Sequence, residues 1–185
     1  MDLGLRQQLA ELQQQYRQRC WRLPLWLQLA DSAEPQWLSQ TLAELLTDQQ
    51  QGAGFWLGEL VTDLLLPAQS SQIKHKGQLL GVEADWIVIN GLAGIDWDLL
   101  AASSGCLRAG GLWLLITAMP QQFALQPNPQ AQRLLSYPLQ AIDQPSNFQQ
   151  LWLSQQQDWW LYNTDLGIHR QHLAHAEQPA PNAST

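Results

Sequence analysis

The sequence predicts an α/β domain of Rossmann-like, three-layer build, with a mainly parallel sheet flanked by helices. Three observations carry that expectation. The run 86–89 is apolar on both faces, as strands of a helix-covered parallel sheet must be, 112–116 reads as a second buried strand, and 25–30 is a further strand-like run. Segments with apolar residues at helical spacing alternate with them. Glycine, proline and aspartate punctuate the boundaries between the two kinds of segment.

Taken in order, Leu5, Leu9, Leu12 and Tyr16 fall on one helical stripe and predict an amphipathic helix over about 3–20 with a glutamine-rich outer face. Its stripe has this domain or a neighbour to pack on. Residues 25–30 form the first strand, followed by Asp31 and Ser32. Pro35 then sits at a helix start, where its missing N–H costs nothing. That helix covers about 35–50, with Trp37, Leu38, Leu42, Leu45 and Leu46 inward and Gly52 and Gly54 closing it. Residues 55–57 make a short second strand ending at Gly58 and Glu59. The apolar stretch 60–66 fits helix or strand, 67–71 reads as a loop, and 72–80 as a short helix carrying Lys74, His75 and Lys76.

The stretch 79–117 organises the rest. Gly81 fits the left-handed position just past a helix. Asp85 opens the strand 86–89, and 90–94 is a turn. Asp96 caps the next helix, where Trp97, Leu100, Ala101, Ser104 and Leu107 share a face. Arg108 is placed in its last turn, where a cation suits the helix dipole, and Gly110 and Gly111 stop it before the strand 112–116. Further on, 119–129 is a loop and about 130–136 a short helix burying Leu134 and Leu135, broken by Pro138. Asp143 and Pro145 start another helix with Phe148, Leu151 and Trp152 on one side, and 159–162 is the last strand. The expected organisation is an N-terminal helix over 1–22, an α/β domain over 23–177, and a tail or linker start over 178–185, where composition turns to Pro, Ala, Asn, Ser and Thr.

A chain of 185 residues forms one domain and buries about two-thirds of its unfolded surface without a staple. The ten tryptophans mostly fall in predicted strands and helix faces, which makes core packing their default role. A net charge of −7 with only nine Lys and Arg argues against a strong autonomous grip on nucleic acid. Arg6, Arg17, Arg19 and Arg22 nevertheless concentrate in the first 22 residues. The candidate RNA contacts are therefore Arg17, Arg19, Arg22, Lys74 and Lys76, although a solvated helix end also accounts for the lysines. Cys20 and Cys106 make no disulfide framework, and Cys106 reads as a buried reduced thiol. That points to a reducing compartment. The N-terminus lacks a signal-peptide core and no apolar run reaches the ~18 residues of a membrane span, so the expected location is the cytoplasm.

Ligands of parallel α/β sheets sit beyond the carboxyl ends of the strands. The residues expected there are Asp31 and Ser32, Gly58 and Glu59, those from Asn90 to Gly94, and Thr117 to Met119. Gly91 and Gly94 offer a phosphate turn, but Asp96 and Asp98 in the first helical turn would repel phosphate. No G-x-G-x-x-G follows the first strand and no G-x-x-x-x-G-K-[ST] occurs, so ATP binding by this chain alone is not expected. His169, His172 and His175, with Asp165 nearby, would diverge around a helix and read as a solvated segment, not a zinc site. No catalytic, cofactor-binding or metal residue is assigned.

The residues Leu79-Leu80-Gly81, Glu83, Asp85, Gly94, Asp98, Leu100-Ala101-Ala102, Gly105 and Leu107-Arg108-Ala109-Gly110-Gly111, with the leucine-rich strand after them, carry a family resemblance. In this order the chain resembles the N-terminal domain of the tRNA(Met) cytidine acetyltransferases and the matching domain of archaeal and eukaryotic RNA cytidine acetyltransferases. The match covers roughly 40 residues closely and extends more loosely from Leu23 onward. Asn90 stands where the family usually has an acidic residue. The resemblance implies a parent enzyme that joins a helicase-like ATPase to an acetyltransferase and forms N4-acetylcytidine at the wobble position, using ATP and acetyl-CoA. It implies for this chain a non-catalytic accessory domain that packs on the ATPase module and shapes the tRNA(Met) surface. Two other classes compete. One is a Rossmann-type small-ligand enzyme, since the central unit also resembles the later half of a class I methyltransferase but lacks its glycine-rich loop. The other is a protein-interaction module unrelated to RNA.

Overall fold

The structure is a computed structural model that describes residues 3–29, 35–49, 52–61, 66–126, 147–155, 159–163 and 167–170. Its elements, in chain order, are α1 (Leu3–Gln18), β1 (Leu23–Leu29), α2 (Pro35–Thr47), β2 (Gly54–Leu57), β3 (Ser70–Ile73), a 3-10 turn (Lys76–Leu79), β4 (Ala84–Asn90), α3 (Trp97–Ser104), β5 (Leu107–Ala118), α4 (Pro120–Phe123), α5 (Asn147–Gln155), β6 (Trp160–Asn163) and β7 (Gly167–Arg170). The strands form one seven-stranded sheet in the order β3-β2-β4-β5-β1-β6-β7. All neighbours are parallel except β6 and β7, which run antiparallel. This is the expected three-layer α/β architecture.

The period of two along each strand sends alternate side chains to opposite faces and builds two cores. On one face Leu23, Leu25 and Leu27 of β1, Trp86 and Val88 of β4, and Leu112, Leu114 and Ile116 of β5 meet Leu5 and Leu9 of α1 and Leu38, Leu42 and Leu45 of α2. On the other face Trp26, Ile87, Ile89 and Leu115 meet Leu99 and Leu100 of α3, Phe123 of α4 and Trp152 of α5. The stripe of α1 therefore packs on this domain. Trp26, Trp56, Trp86 and Trp159 are buried, and Trp26 Nε1 donates to Thr117 Oγ1 at 2.8 Å. Trp21 departs from the core reading, being 54% exposed. Among the described residues no helix is long and apolar enough to cross a membrane.

Several local expectations are corrected. Residues 70–73 are a strand, not a loop and helix start, and only Lys76–Leu79 winds as a 3-10 turn. The polar Ser-Ser-Gln-Ile of β3 sits at the sheet edge, where one buried residue, Ile73, suffices. Helix α3 stops at Ser104, and its buried residues are Leu99, Leu100 and Ser103, while Ala101 is exposed. Arg108 and the pair Gly110-Gly111 belong to β5, not to a helix end. Between Ala84↔Leu107 and Trp86↔Leu112, β4 advances two residues (86−84) while β5 advances five (112−107), so β5 bulges there. Glycine at positive φ serves a bulge as readily as a helix stop, so the two are indistinguishable in sequence. Residues 120–123 are helical within the expected loop. In α5 Trp152 packs on the core as expected, but Leu151 is exposed and Gln149 buried, and β7 has no counterpart in the sequence expectation. The side chain of Phe148, the Leu134–Leu135 helix, Asp31, Ser32, Asp165, His172, His175 and the tail lie outside the described residues.

Candidate nucleic-acid interface

Helix α1 ends in a two-bond lock. Trp21 N–H donates to Tyr16 O at 2.9 Å and Cys20 N–H to Arg17 O at 3.1 Å, the pairing of a Schellman motif. Cys20 takes the left-handed position at φ 56°, where glycine is usual. The Trp21 ring turns back on Tyr16, with centroids 6.0 Å apart at 70°. Tyr16 Oη in turn accepts from Trp160 Nε1 at 2.9 Å, which ties the helix end to β6. From the other side Gly110 N–H, in the β5 bulge, donates to Trp21 O at 2.7 Å. Trp21 is thus held by its backbone while its indole faces solvent.

Cations gather around it at the amino edge of the sheet. The Arg19 guanidinium lies 5.2 Å from the Trp21 ring centroid, within cation–π range. Arg22 Nε donates to Leu107 O at 2.8 Å, and Arg17 is exposed in the last turn of α1. Arg170 ends β7 opposite Trp160, which places it at the same edge. Tyr16, Cys20, Trp21, Arg22, Pro24 and Arg170 line a groove of about 470 Å³. Next to it, Arg108 bonds Glu83 at 3.0 Å and Asp85 at 3.1 and 3.2 Å. Its guanidinium is pushed up from the ordinary arginine value by the hydrogen bond to Glu83 and then by Asp85. Asp85 also accepts from Ala53 N–H at 3.0 Å. The motif residues Glu83, Asp85, Arg108, Gly110 and Gly111 therefore build the bulge on which α1 is seated.

Lys74 and Lys76 lie elsewhere. They follow β3, on the far edge of the sheet and at its carboxyl end. Four strand spacings of ~4.8 Å separate β3 from β1, about 19 Å before the difference in height is added. Lys76 Nζ sits 3.7 Å from Asp98 Oδ2. The structure places Arg22 and Arg170 on one groove, sets Arg19 over the Trp21 ring that lines it, seats Arg17 beside Gly110, and leaves the two lysines apart.

The carboxyl edge has a different character. A cleft of about 240 Å³ is lined by Leu57, Gly58, Glu59, Ile89, Asn90, Ala93, Gly94, Ile95, Asp96 and Leu99. Asn90 uses both ends of its amide in structure there. Its Nδ2 donates to Glu59 O at 2.7 Å, and its Oδ1 accepts from Leu92 N–H at 3.1 Å. Asp96 Oδ1 accepts from Leu99 N–H at 2.9 Å and so caps α3, as its position in the sequence implies. Glu59 and Asp96 give this cleft two carboxylates, a poor setting for a phosphate, while Asp98 beside it faces Lys76. Gly81, at φ 73°, holds the expected left-handed position. Cys106 is buried and its Sγ donates to Leu79 O at 3.2 Å. His169 lies in β7, opposite Leu161, so it is a strand residue and not part of a helix.

Trp21 and Arg170 join the site with no place in the sequence expectation, and Tyr16 joins it from the helix stripe. The signal for Trp21 was local: an aromatic between Arg19 and Arg22, off the Leu5–Leu9–Leu12–Tyr16 stripe. Arg170 had none, because its place depends on the antiparallel return of β7. Compared with known proteins, the chain matches the family model described as tRNA(Met) cytidine acetyltransferase TmcA, N-terminal, over residues 1–164. No curated protein matches it.

Proposed function

This chain belongs to the family of tRNA(Met) cytidine acetyltransferase TmcA N-terminal domains, and from that premise we propose that it is a non-catalytic accessory domain that helps hold tRNA(Met) in the cytoplasm. In this reading the ATP and acetyl-CoA chemistry belongs to a helicase-like ATPase and an acetyltransferase module of the same polypeptide. The domain packs on the ATPase module and adds cationic contacts to the RNA. The observation that carries the reading is the amino edge, where Arg22 and Arg170 line one groove, Arg19 lies over its Trp21 and Arg17 sits in the last turn of α1, on a chain whose net charge is −7. The acidic carboxyl edge supports it from the other side, since a phosphate-bearing cofactor would meet Glu59 and Asp96 there.

The test is titration of fluorescent tRNA(Met) with this chain, with an unrelated tRNA as control. Binding is expected at low salt. Contact with about four phosphates would weaken it on the order of 100-fold between about 50 and 200 mM salt. The triple change Arg17→Ala, Arg19→Ala, Arg22→Ala should abolish it, and Lys74→Ala with Lys76→Ala should leave it intact. Absence of binding even at low salt would overturn the RNA role. A melting shift of several degrees with S-adenosylmethionine, a nucleotide or acetyl-CoA would instead favour a small-ligand enzyme.

A further inference from the structure

We infer that the groove around Trp21 seats an unpaired nucleotide, with the base stacked on the indole and the flanking phosphates on the arginines; this rests on the RNA-holding role proposed above. A cationic groove alone fits any polyanion. What narrows the ligand is an aromatic face held open inside it. Trp21 keeps 54% of its surface exposed although it is the residue at which α1, β1 and the β5 bulge meet. Burial of so large an apolar ring is favourable, and the other nine tryptophans are buried or half-buried. Its backbone bonds to Tyr16 and Gly110 fix the position of the residue, and its ring contact with Tyr16 and the Arg19 guanidinium over it orient the indole while more than half of the residue stays exposed.

The surroundings match the stacking-platform mode of single-strand recognition, in which aromatic faces take bases and cations track the backbone. Arg19 lies over the indole, where a guanidinium also stacks on a base. Arg22 and Arg170 flank the ring along the groove, and about 470 Å³ exceeds the volume of one base. A duplex offers phosphates to such a site but keeps its bases stacked on each other. The inference is therefore specific to unpaired RNA, such as a loop or a strand end.

The experiment measures fluorescence anisotropy of a labelled ten-nucleotide unpaired RNA and of a blunt duplex of the same length, on the intact chain. Wild type should prefer the unpaired RNA. Trp21→Ala should weaken it on the order of tenfold, with the salt slope unchanged, while Trp21→Phe retains most of the affinity. Arg19→Ala with Arg22→Ala should instead lower the salt slope by about 1.4. Thermal melts of each variant separate binding from folding, and Trp21→Phe keeps the contact with Tyr16. If Trp21→Ala binds the unpaired RNA as wild type does, while the arginine changes still weaken it, the stacking seat is wrong and the RNA role stands. Equal affinity for duplex and unpaired RNA has the same meaning. If neither RNA binds at low salt, the RNA role itself fails and the seat with it.

Discussion

Trp21 returns to Tyr16 across the end of α1, closing a 6.0 Å edge-to-face contact over a Schellman pair of hydrogen bonds. The relation forces Cys20 between them into the left-handed region at φ 56°. A β-carbon there costs roughly 1–2 kcal/mol, part of which glycine returns through its looser unfolded chain. Cys20→Gly should therefore stabilise the protein by about 0.5–1 kcal/mol. Cys20→Val should destabilise it, because branching at the β-carbon raises the same cost. Urea midpoints at constant m-value give the comparison, and a loss of stability in the glycine variant would contradict the account.

Gly110 and Gly81 form a natural pair of controls. Both have positive φ, 75° and 73°. A β-carbon at Gly81 would meet nothing within 4 Å, whereas one at Gly110 would lie 2.6 Å from Arg17 Cβ. Gly81→Ala should cost only the backbone term, about 1 kcal/mol. Gly110→Ala adds overpacking against α1 and should cost about 2–4 kcal/mol. Equal losses in the two variants would mean that the bulge does not seat the helix.

These positions show how far the sequence could be read. The parallel sheet was legible because buried strands such as 86–89 and 112–116 are apolar on both faces, and the caps at Asp96 and Gly81 were legible because their chemistry is local. The bulge was not, since Leu107-Arg108-Ala109-Gly110-Gly111 satisfies the rules for a helix end equally well. Edge strand β3 lacked a pattern because only Ile73 among its residues is buried. Of the candidate site, the arginines of the first 22 residues were visible as a charge cluster. That Arg22 shares a groove with Arg170, far from Lys74 and Lys76, required strand order that no local signal encodes.

Asn90 makes a sharper test of the carboxyl edge. Its Nδ2 is the donor that Glu59 O receives, together with Trp56 Nε1 at 2.9 Å. Asn90→Asp keeps the shape and removes that donor, setting a carboxylate against a carbonyl. A loss of about 1–3 kcal/mol is expected at neutral pH. The new carboxyl would hold its proton more tightly folded than unfolded. Its contribution is therefore present below the unfolded carboxyl value of about 4 and lost as pH rises. The gap to wild type should narrow in acid, and denaturation series at pH 4 and pH 7 would reveal a constant gap if the amide donor were irrelevant.

The two thiols should behave differently, because one is exposed and the other is under the sheet. Cys20 is exposed and Cys106 buried, with its Sγ–H directed to Leu79 O. Burial pushes the Cys106 thiol up from its ordinary value. An aromatic disulfide reagent should therefore titrate Cys20 rapidly in the native protein and Cys106 only after unfolding. The shift also sets a pH dependence. A thiol whose folded value is raised binds its proton more tightly in the native state, so its contribution is complete below the unfolded thiol value of about 8.5 and is lost as pH rises beyond it. Wild type should therefore lose stability relative to Cys106→Ala between about pH 8 and 10, with Cys20 present in both chains. A difference between the two that stays flat over that range would show that Cys106 ionises as freely in the folded protein as in the unfolded one.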